Sequence, residues 1–335
     1  MPRGDSVSVP SESRMEGSDV APSSIAPLRK RVLAFLIDVT ILGVIGFSLG
    51  LFLEEQLMRL GGWARLAGFG ISVLYFGAAN SRDFAGRTVG KAAFGIRVLS
   101  KDGSYLTVGK SLARAAVLCA PYFLNGAAPS GVSSNVWAQS IWSVLAFGCG
   151  VSLLYMFFFN RSSHQSIHDL IVGSLVVEGT GSPTPHVGPL PRRHASVVAS
   201  LLLIAAVAPF VTSRMAGLQS VTSLMTLADS VGSGPGARVS GAQLGSTSQR
   251  FVSGVGGTQT RAVVNVQIAD PEADIDGIAD RIVDAVLNGL PELDRRDVIA
   301  VTFMYGYDLG IASRWRTQTV AYSPAEWRAR LASTR

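Results

Sequence analysis

At 335 residues, with 48% hydrophobic and only 16% charged residues, the chain is long enough for two domains and too apolar for an ordinary soluble protein. Its mean hydropathy of +0.34 points the same way, to a membrane protein. The net charge of +6 is spread between apolar runs rather than gathered in one basic domain, which excludes nucleic acid as a partner and leaves loop charge beside a membrane as its explanation.

Residues 1–27 are rich in Ser, Pro, Gly and charge and carry no apolar period, the composition of a disordered leader. The apolar run that follows is too long for the hydrophobic part of a cleavable signal. Arg29-Lys30-Arg31 precedes the first predicted span, Val32 to Leu53, whose one charged residue is Asp38. A helix of this length crosses a ~30 Å hydrocarbon layer at 1.5 Å per residue. A carboxylate inside it costs roughly 2.5–3.5 kcal/mol on insertion scales, so it must face protein or water. Arg31 and Asp38 share a helix face at about 10 Å and cannot pair within one helix, so each needs a partner from another segment. Gly46 and Gly50 on the same span offer a surface for close helix approach.

Glu54–Gly62 reads as a short external turn and Trp63–Ala79 as a second span. From Asn80 to Lys110 the chain is polar and basic, with Arg82, Arg87, Lys91, Arg97, Lys101 and Lys110 against Asp83 and Asp102, as expected of a cytoplasmic loop on anionic headgroups. Within it Ile96–Ser100, the turn Lys101-Asp102-Gly103 and Tyr105–Val108 read as a hairpin. Gly86–Lys91 is one residue short of a phosphate loop, and Ala92 stands where the hydroxyl belongs, so no nucleotide site is expected.

Two apolar stretches follow, Ala113–Ala128 and Gln139–Phe159. The first carries Arg114, Pro121 and Asn125 and reads either as a short span or as a helix lying in the interface. Taken as a span, it leaves only Arg59 and Arg65 in the outer loops, the positive-inside pattern. Both cysteines, Cys119 and Cys149, sit in these stretches without a ligand-like neighbour, so neither a disulfide nor a zinc site is expected. His164 and His168 are four apart beside Asp169, but no third ligand lies near, and no metal is expected. Asp169 is expected to cap, or to pair with, basic groups, Arg31 and the arginines of the basic loop being the candidates.

Residues 179–194 form a Pro-rich linker and 195–213 a fifth span, which places the C-terminal region outside and the N-terminus in the cytoplasm. Residues 214–260 read as a flexible Gly/Ser-rich stalk, and 261–335 as a small α+β domain. There Arg261–Ile268 alternates as a strand, Asp274–Leu290 is an amphipathic helix, Val298–Tyr305 is a strand, and Arg314–Val320 is a candidate third. Ser323-Pro324-Ala325-Glu326 has the form of a capping box for a terminal helix. Asp270, Glu272, Asp274, Asp276, Asp280 and Asp284 are explained by the dipole of a helix N-terminus before any calcium site. Tyr305, Tyr307 and Trp315 are expected to pack in the core, with a partner surface second. All four histidines precede residue 195, so no hydrolase set exists in the tail, and the chain is read as non-enzymatic, with no cofactor.

Three motifs in residues 28–178 carry a family resemblance. Arg31, Ala34, Ile37 and Asp38 form R-x-x-A-x-x-I-D. Gly86–Lys91, continuing through Phe94-Gly95-Ile96-Arg97-Val98 to Asp102-Gly103, forms a middle loop. His168-Asp169-Leu170, with Val172-Gly173-Ser174 and Val176-Val177, closes the set. Together they resemble the RDD family of multi-pass bacterial membrane proteins, with Ser174 where many members carry threonine. The resemblance implies that Arg31, Asp38 and Asp169 are the family's arginine and two aspartates, structural or ion-coupling, with Arg87, Lys91, Arg97 and His168 as cytoplasmic-loop contacts. It also implies a cation/proton exchange role, proposed for some members.

The expected architecture is therefore an α-helical polytopic membrane protein of about five transmembrane helices with a C-terminal extracytoplasmic α+β domain. The favoured function is a plasma-membrane accessory or scaffold protein that contacts the lipid bilayer and binds a protein partner, such as part of an envelope transport or secretion complex. The alternative is an antiporter-like transporter using Asp38, which is sparse for that task because the other spans hold no second acid.

Overall fold

The computed structural model describes residues 24–60, 63–125, 135–161, 163–179, 187–214, 223–224, 226–228, 230–231, 237–250, 256–268 and 273–334. The first helix, α1 (Leu28–Phe52), buries Arg31, Ala34, Asp38, Leu42, Gly46 and Gly50 along one stripe and turns its other faces outward. Leu36, Val44, Phe47 and Leu51 are exposed, the reverse of a soluble helix and the arrangement expected against lipid. Short α2 (Glu54–Leu60) stands where a turn was expected, and α3 (Ala64–Ala79) returns alongside α1.

The basic loop then folds back on α1. Thr88 caps α4 (Val89–Ala93), its hydroxyl accepting from the Lys91 amide at 3.2 Å. Strand β2 (Ile96–Ser100) follows, but its partner is not Tyr105–Val108. It pairs antiparallel with β3 (Ser174–Glu178), in register Ile96↔Glu178 to Ser100↔Ser174. The turn forms as expected, Gly103 N bonding Ser100 O at 3.0 Å, but Thr107 then caps α5 (Val108–Leu124), so the second arm of the hairpin becomes a helix start. A further two-residue strand, β1 (Ser24–Ile25), pairs on the far side of β3. The end of the expected leader is thus ordered, while residues 1–23 lie outside the described residues.

Helix α6 (Val136–Ser143) runs through a π turn at Val144–Gly148 into α7 (Cys149–Phe159). A Cβ on Gly148 would reach the side chain of Ala205 at 3.0 Å, which explains the close approach of α9 (Arg192–Thr212) at this turn. Between α7 and β3 lies α8 (Ile167–Val172), opened by a capping box of Ser166 and Asp169. Helices Leu28–Phe52, Val136–Phe159 and Arg192–Thr212 are long and apolar enough to cross a membrane, and Ala64–Ala79 is a shorter apolar helix.

Among the described residues the C-terminal region is a four-stranded sheet in the order β4-β5-β6-β7, with helices packed on one face. Strand β4 (Ala237–Arg250) pairs antiparallel with β5 (Gly256–Ile268). All of β4 and the start of β5 occupy the stretch expected to be a flexible stalk. Its Gly, Ser, Thr and Gln give no apolar alternation, yet an edge strand needs only backbone pairing on one side. Residues 232–236 of that stretch lie outside the described residues. Helix α10 (Ile275–Gly289) crosses over to β6 (Val298–Asp308), parallel to β5, and β7 (Ser313–Tyr322) returns antiparallel. Ile278, Ile282, Val283 and Val286 pack on Val264, Val266, Val301 and Phe303. Terminal α11 (Pro324–Thr334) adds fully buried Trp327, whose Nε1 donates to Ile299 O at 2.9 Å. The capping box forms as read, Glu326 accepting from the Ser323 amide at 2.8 Å. Asp274 caps α10 by accepting from the Gly277 amide at 2.9 Å, while Asp270 and Glu272 lie outside the described residues.

The two halves meet through the tip of the β6–β7 hairpin. Leu309 is fully buried with Leu57, Ala64 and Tyr307, and Ile311 packs between α1 and α3. Tyr122, near the end of α5, donates to the Gly310 carbonyl at 2.7 Å. Three glycines make room: a Cβ would meet Ile311 Cγ1 at 2.8 Å from Gly46, the Tyr307 hydroxyl at 1.7 Å from Gly50, and the Leu309 carbonyl at 1.7 Å from Gly68. Trp315, expected in the core, is instead 40% exposed on β7.

Candidate functional site

The opposite end of the helices holds a buried ionic cluster centred on Asp169, which is wholly inaccessible. Arg114 bonds its Oδ1 through Nε at 2.9 Å and Nη2 at 2.8 Å. Arg31 reaches Oδ2 through Nη2 at 3.4 Å and donates Nη1 to the His164 carbonyl. Ser174 donates to Oδ1 at 2.8 Å, and the Ser166 amide approaches Oδ2 at 3.4 Å. Burial pushes the Asp169 carboxyl up, but Arg114 and Arg31 hold it well below the usual carboxylate range, and His168 would add to them only when protonated. His168 stands 3.3 Å away through Nε2; burial, with Arg114 and Arg31 beside it, pushes it down to about 3 against the pull of Asp169. It therefore meets Asp169 as a neutral imidazole. Position 174 works with a hydroxyl, which is what serine and threonine share.

Asp38 is equally buried but sees no cation within ion-pair distance among the described residues. It accepts from Tyr75 Oη at 2.8 Å, Thr88 Oγ1 at 2.6 Å and the Gly90 amide at 2.9 Å. The amide can come so close because position 90 is glycine: a Cβ there would lie 2.0 Å from the Ala34 carbonyl. One carboxylate thus pins α3 and the start of α4 to α1. Hydrogen bonds to a charged group contribute about 1.5–3 kcal/mol each at most.

Of the residues expected to act together, the structure joins Arg31, Asp169 and His168 in one cluster and places Lys91 on α4 facing the same space. Arg87 and Arg97 are not partners of Asp169: Arg97 donates to Tyr105 Oη at 2.9 Å, and buried Arg87 Nε has no hydrogen-bond partner among the described residues. The closest basic partner of Asp169 is Arg114, in the stretch where its charge counted against a span. The same rule that marked Asp38 applies to it: an ionisable residue in an apolar helix needs a buried partner. His164 and His168 are not on one helix, since His164 precedes α8 with φ 49°, and no metal-type group of three appears among the described residues.

A cavity of about 280 Å³ lies between α1, α5 and α7. Arg31, Asp38, Lys91, Arg114 and His168 line its inner wall, and Phe35, Leu154 and Phe158 lie toward its outside. Lys91 is half-buried, with its ammonium 3.5 Å from Thr88 Oγ1 and 5.9 Å from the centre of the Phe76 ring. Burial, with Arg114 adding, lowers it to about 7, Asp38 opposing.

Residues 25–173 match the model of the RDD family. No curated protein and no solved structure matches the chain. The family is a membrane family, and with three helices of spanning length and composition among the described residues the location is a membrane. The C-terminal region has no family match.

Proposed function

On the premise that residues 25–173 are an RDD-family membrane domain, we propose that the protein is a non-enzymatic accessory of the plasma membrane whose α/β domain binds a protein partner outside. The observation that carries this reading is the seating of the β6–β7 tip among α1, α3 and α5, which holds the domain in a fixed pose rather than on a free tether. A rigidly presented domain suits docking, because less conformational entropy is lost when a partner binds.

The topology of this reading has five crossings. Helix α5 counts among them because Arg114 near its start joins the ionic cluster while Tyr122 near its end touches the hairpin. Its 17 residues cover about 25 Å at 1.5 Å each, a short but sufficient path with polar ends. Arg29, Lys30 and the basic loop support a cytoplasmic ionic end, with the α/β domain outside.

Single-cysteine labelling tests the sidedness. With Cys119 and Cys149 replaced by Ala, Ser333→Cys should react with an impermeant maleimide on intact cells, and Lys101→Cys only after lysis; the reverse order would refute the topology. Purification in mild detergent tests the function. A stoichiometric protein partner, lost on removing residues 214–335, is expected, and elution of the chain alone counts against the accessory role.

The antiporter alternative is favoured by one observation, that Asp38 lines the cavity. Its three hydrogen bonds favour the structural role instead. Asp38→Asn should leave any pH-dependent cation flux in reconstituted vesicles unchanged, and selective loss of such flux at normal protein level would reinstate the transporter.

A further inference from the structure

The cavity at the ionic end is out of charge balance. Its surroundings hold three cations, Arg31, Lys91 and Arg114, against two carboxylates, Asp38 and Asp169. Asp169 is committed to both arginines, and Asp38 to three donors from α3 and the basic loop. Lys91 makes no ion pair within 4 Å among the described residues. A cation held this way in an apolar wall is costly, and a ligand anion placed beside it removes that cost.

The other side of the cavity is apolar and faces the lipid. Phe35 on α1 is 45% exposed, and Leu154 and Phe158 on α7 are 59% and 48% exposed on the outer surface of the helices. Basic groups at depth and aliphatic and aromatic side chains at the mouth fit a molecule with an anionic head and a hydrocarbon tail. The volume of about 280 Å³ is near the lower end of the roughly 300–1,000 Å³ of ligand pockets, enough for a headgroup with its chain left in the bilayer.

We infer that this cavity is a binding site for an anionic phospholipid, its phosphate beside Lys91 and the arginines and its acyl chain leaving between α1 and α7. The shared chemistry is a phosphate anion, and the apolar mouth selects the lipid over free phosphate. The inference rests on the membrane location alone and stands whether or not the accessory role does.

The test is lipid retention by the full-length protein, released from nanodiscs of phosphatidylcholine containing phosphatidylglycerol and read by native mass spectrometry. Both lipids carry the phosphodiester, but the choline ammonium of phosphatidylcholine adds a cation to a site already short of anions, so wild type should retain phosphatidylglycerol about tenfold over phosphatidylcholine. Lys91→Gln should abolish the preference, while Lys91→Arg and the exposed control Lys110→Gln keep it. Leu154→Trp, which fills the mouth without touching a charge, should lower retention too, and it carries the test if Lys91→Gln fails to fold. Equal retention of both lipids by wild type, or equal loss in Lys110→Gln, overturns the site. Displacement of the lipid by millimolar inorganic phosphate overturns the lipid assignment in favour of the free anion.

Discussion

The two ends of the helical domain are closed by different physics. At the ionic end, groups far apart in sequence converge on two carboxylates, and direction and charge decide the fit: Arg31, Arg114 and Asp169 in one set, Asp38, Tyr75, Thr88 and Gly90 in the other. At the hairpin end the decisive feature is missing matter. Gly46, Gly50 and Gly68 leave a hollow, and Leu309, Ile311 and Tyr307 fill it. Neither device relies on the hydrophobic effect between helices, which has little force where lipid is as apolar as leucine.

The contrast breaks first at Asp169. Asp169→Asn leaves two buried guanidinium groups without their carboxylate, and removing one partner of a buried pair costs about 3–5 kcal/mol. Loss of most monodisperse protein in detergent size-exclusion chromatography is expected. The charge swap Arg31→Asp with Asp169→Arg should not rescue it, because the arginine introduced by Asp169→Arg meets Arg114. Recovery of wild-type yield by the swap would mean that Arg31 alone is the working partner.

The next effect belongs to the hollow. A Cβ on Gly68 would stand 1.7 Å from the Leu309 carbonyl, a backbone atom that cannot yield without moving the hairpin. Gly68→Ala should cost about 1–3 kcal/mol of docking and speed hydrogen exchange in residues 308–313 while the ionic end stays protected. Gly70, on the same helix, has nothing within 4 Å of its Cβ position among the described residues, so Gly70→Ala is the matched control and should be neutral or slightly stabilising. Equal exchange in the two variants would show that the tip is not seated by shape.

These two ends also differ in what could be read from sequence. Asp38 and Asp169 stood out because a charge beside or within an apolar run demands a partner, and both found several. Arg114 obeys the same rule, but in the sequence its charge speaks against a span and does not name the partner it needs. The long-range strand pairing of β2 with β3 was hidden because the local turn at Lys101–Gly103 explains the same residues, and the turn does form. The hairpin seat was illegible for another reason. Glycines at a spacing of four signify close approach in general, and nothing in Leu309–Ala312 says that the approaching body is a turn rather than a helix. In the C-terminal region, apolar alternation marks β5 and β6, whereas β4, poor in such alternation, has the composition of a stalk.

A smaller effect is set by pH at the ionic end. Lys91 is lowered to about 7 chiefly by burial, with Arg114 and Arg31 adding and with Asp38 and Asp169 opposing; His168 also faces it, neutral. It is therefore charged below that pH and neutral above it. Retention of phosphatidylglycerol should fall as pH rises from about 6 to about 8, by no more than the tenfold lost in Lys91→Gln. The sign follows because the protonated form is the one that attracts an anion. A flat profile over that range would show that Lys91 is not the group the phosphate meets, and would return the site to the two arginines.

The smallest effect lies at the rim of the hollow. Arg314 pairs with Glu54 at 2.8 Å, Arg316 stands 3.9 Å from the same carboxylate, and Arg65 stands 3.3 Å from Asp308. The side chain of Arg314 is half exposed, and such pairs contribute about 0–1 kcal/mol and weaken with salt. Arg314→Gln should leave exchange at 308–313 within about twofold of wild type, and raising the salt should narrow even that. If Arg314→Gln frees the tip as fully as Gly68→Ala, then charge rather than shape holds both ends, and the contrast between them fails. If it does not, the α/β domain is held by a contour that salt cannot loosen, which is what a fixed platform at a membrane surface requires.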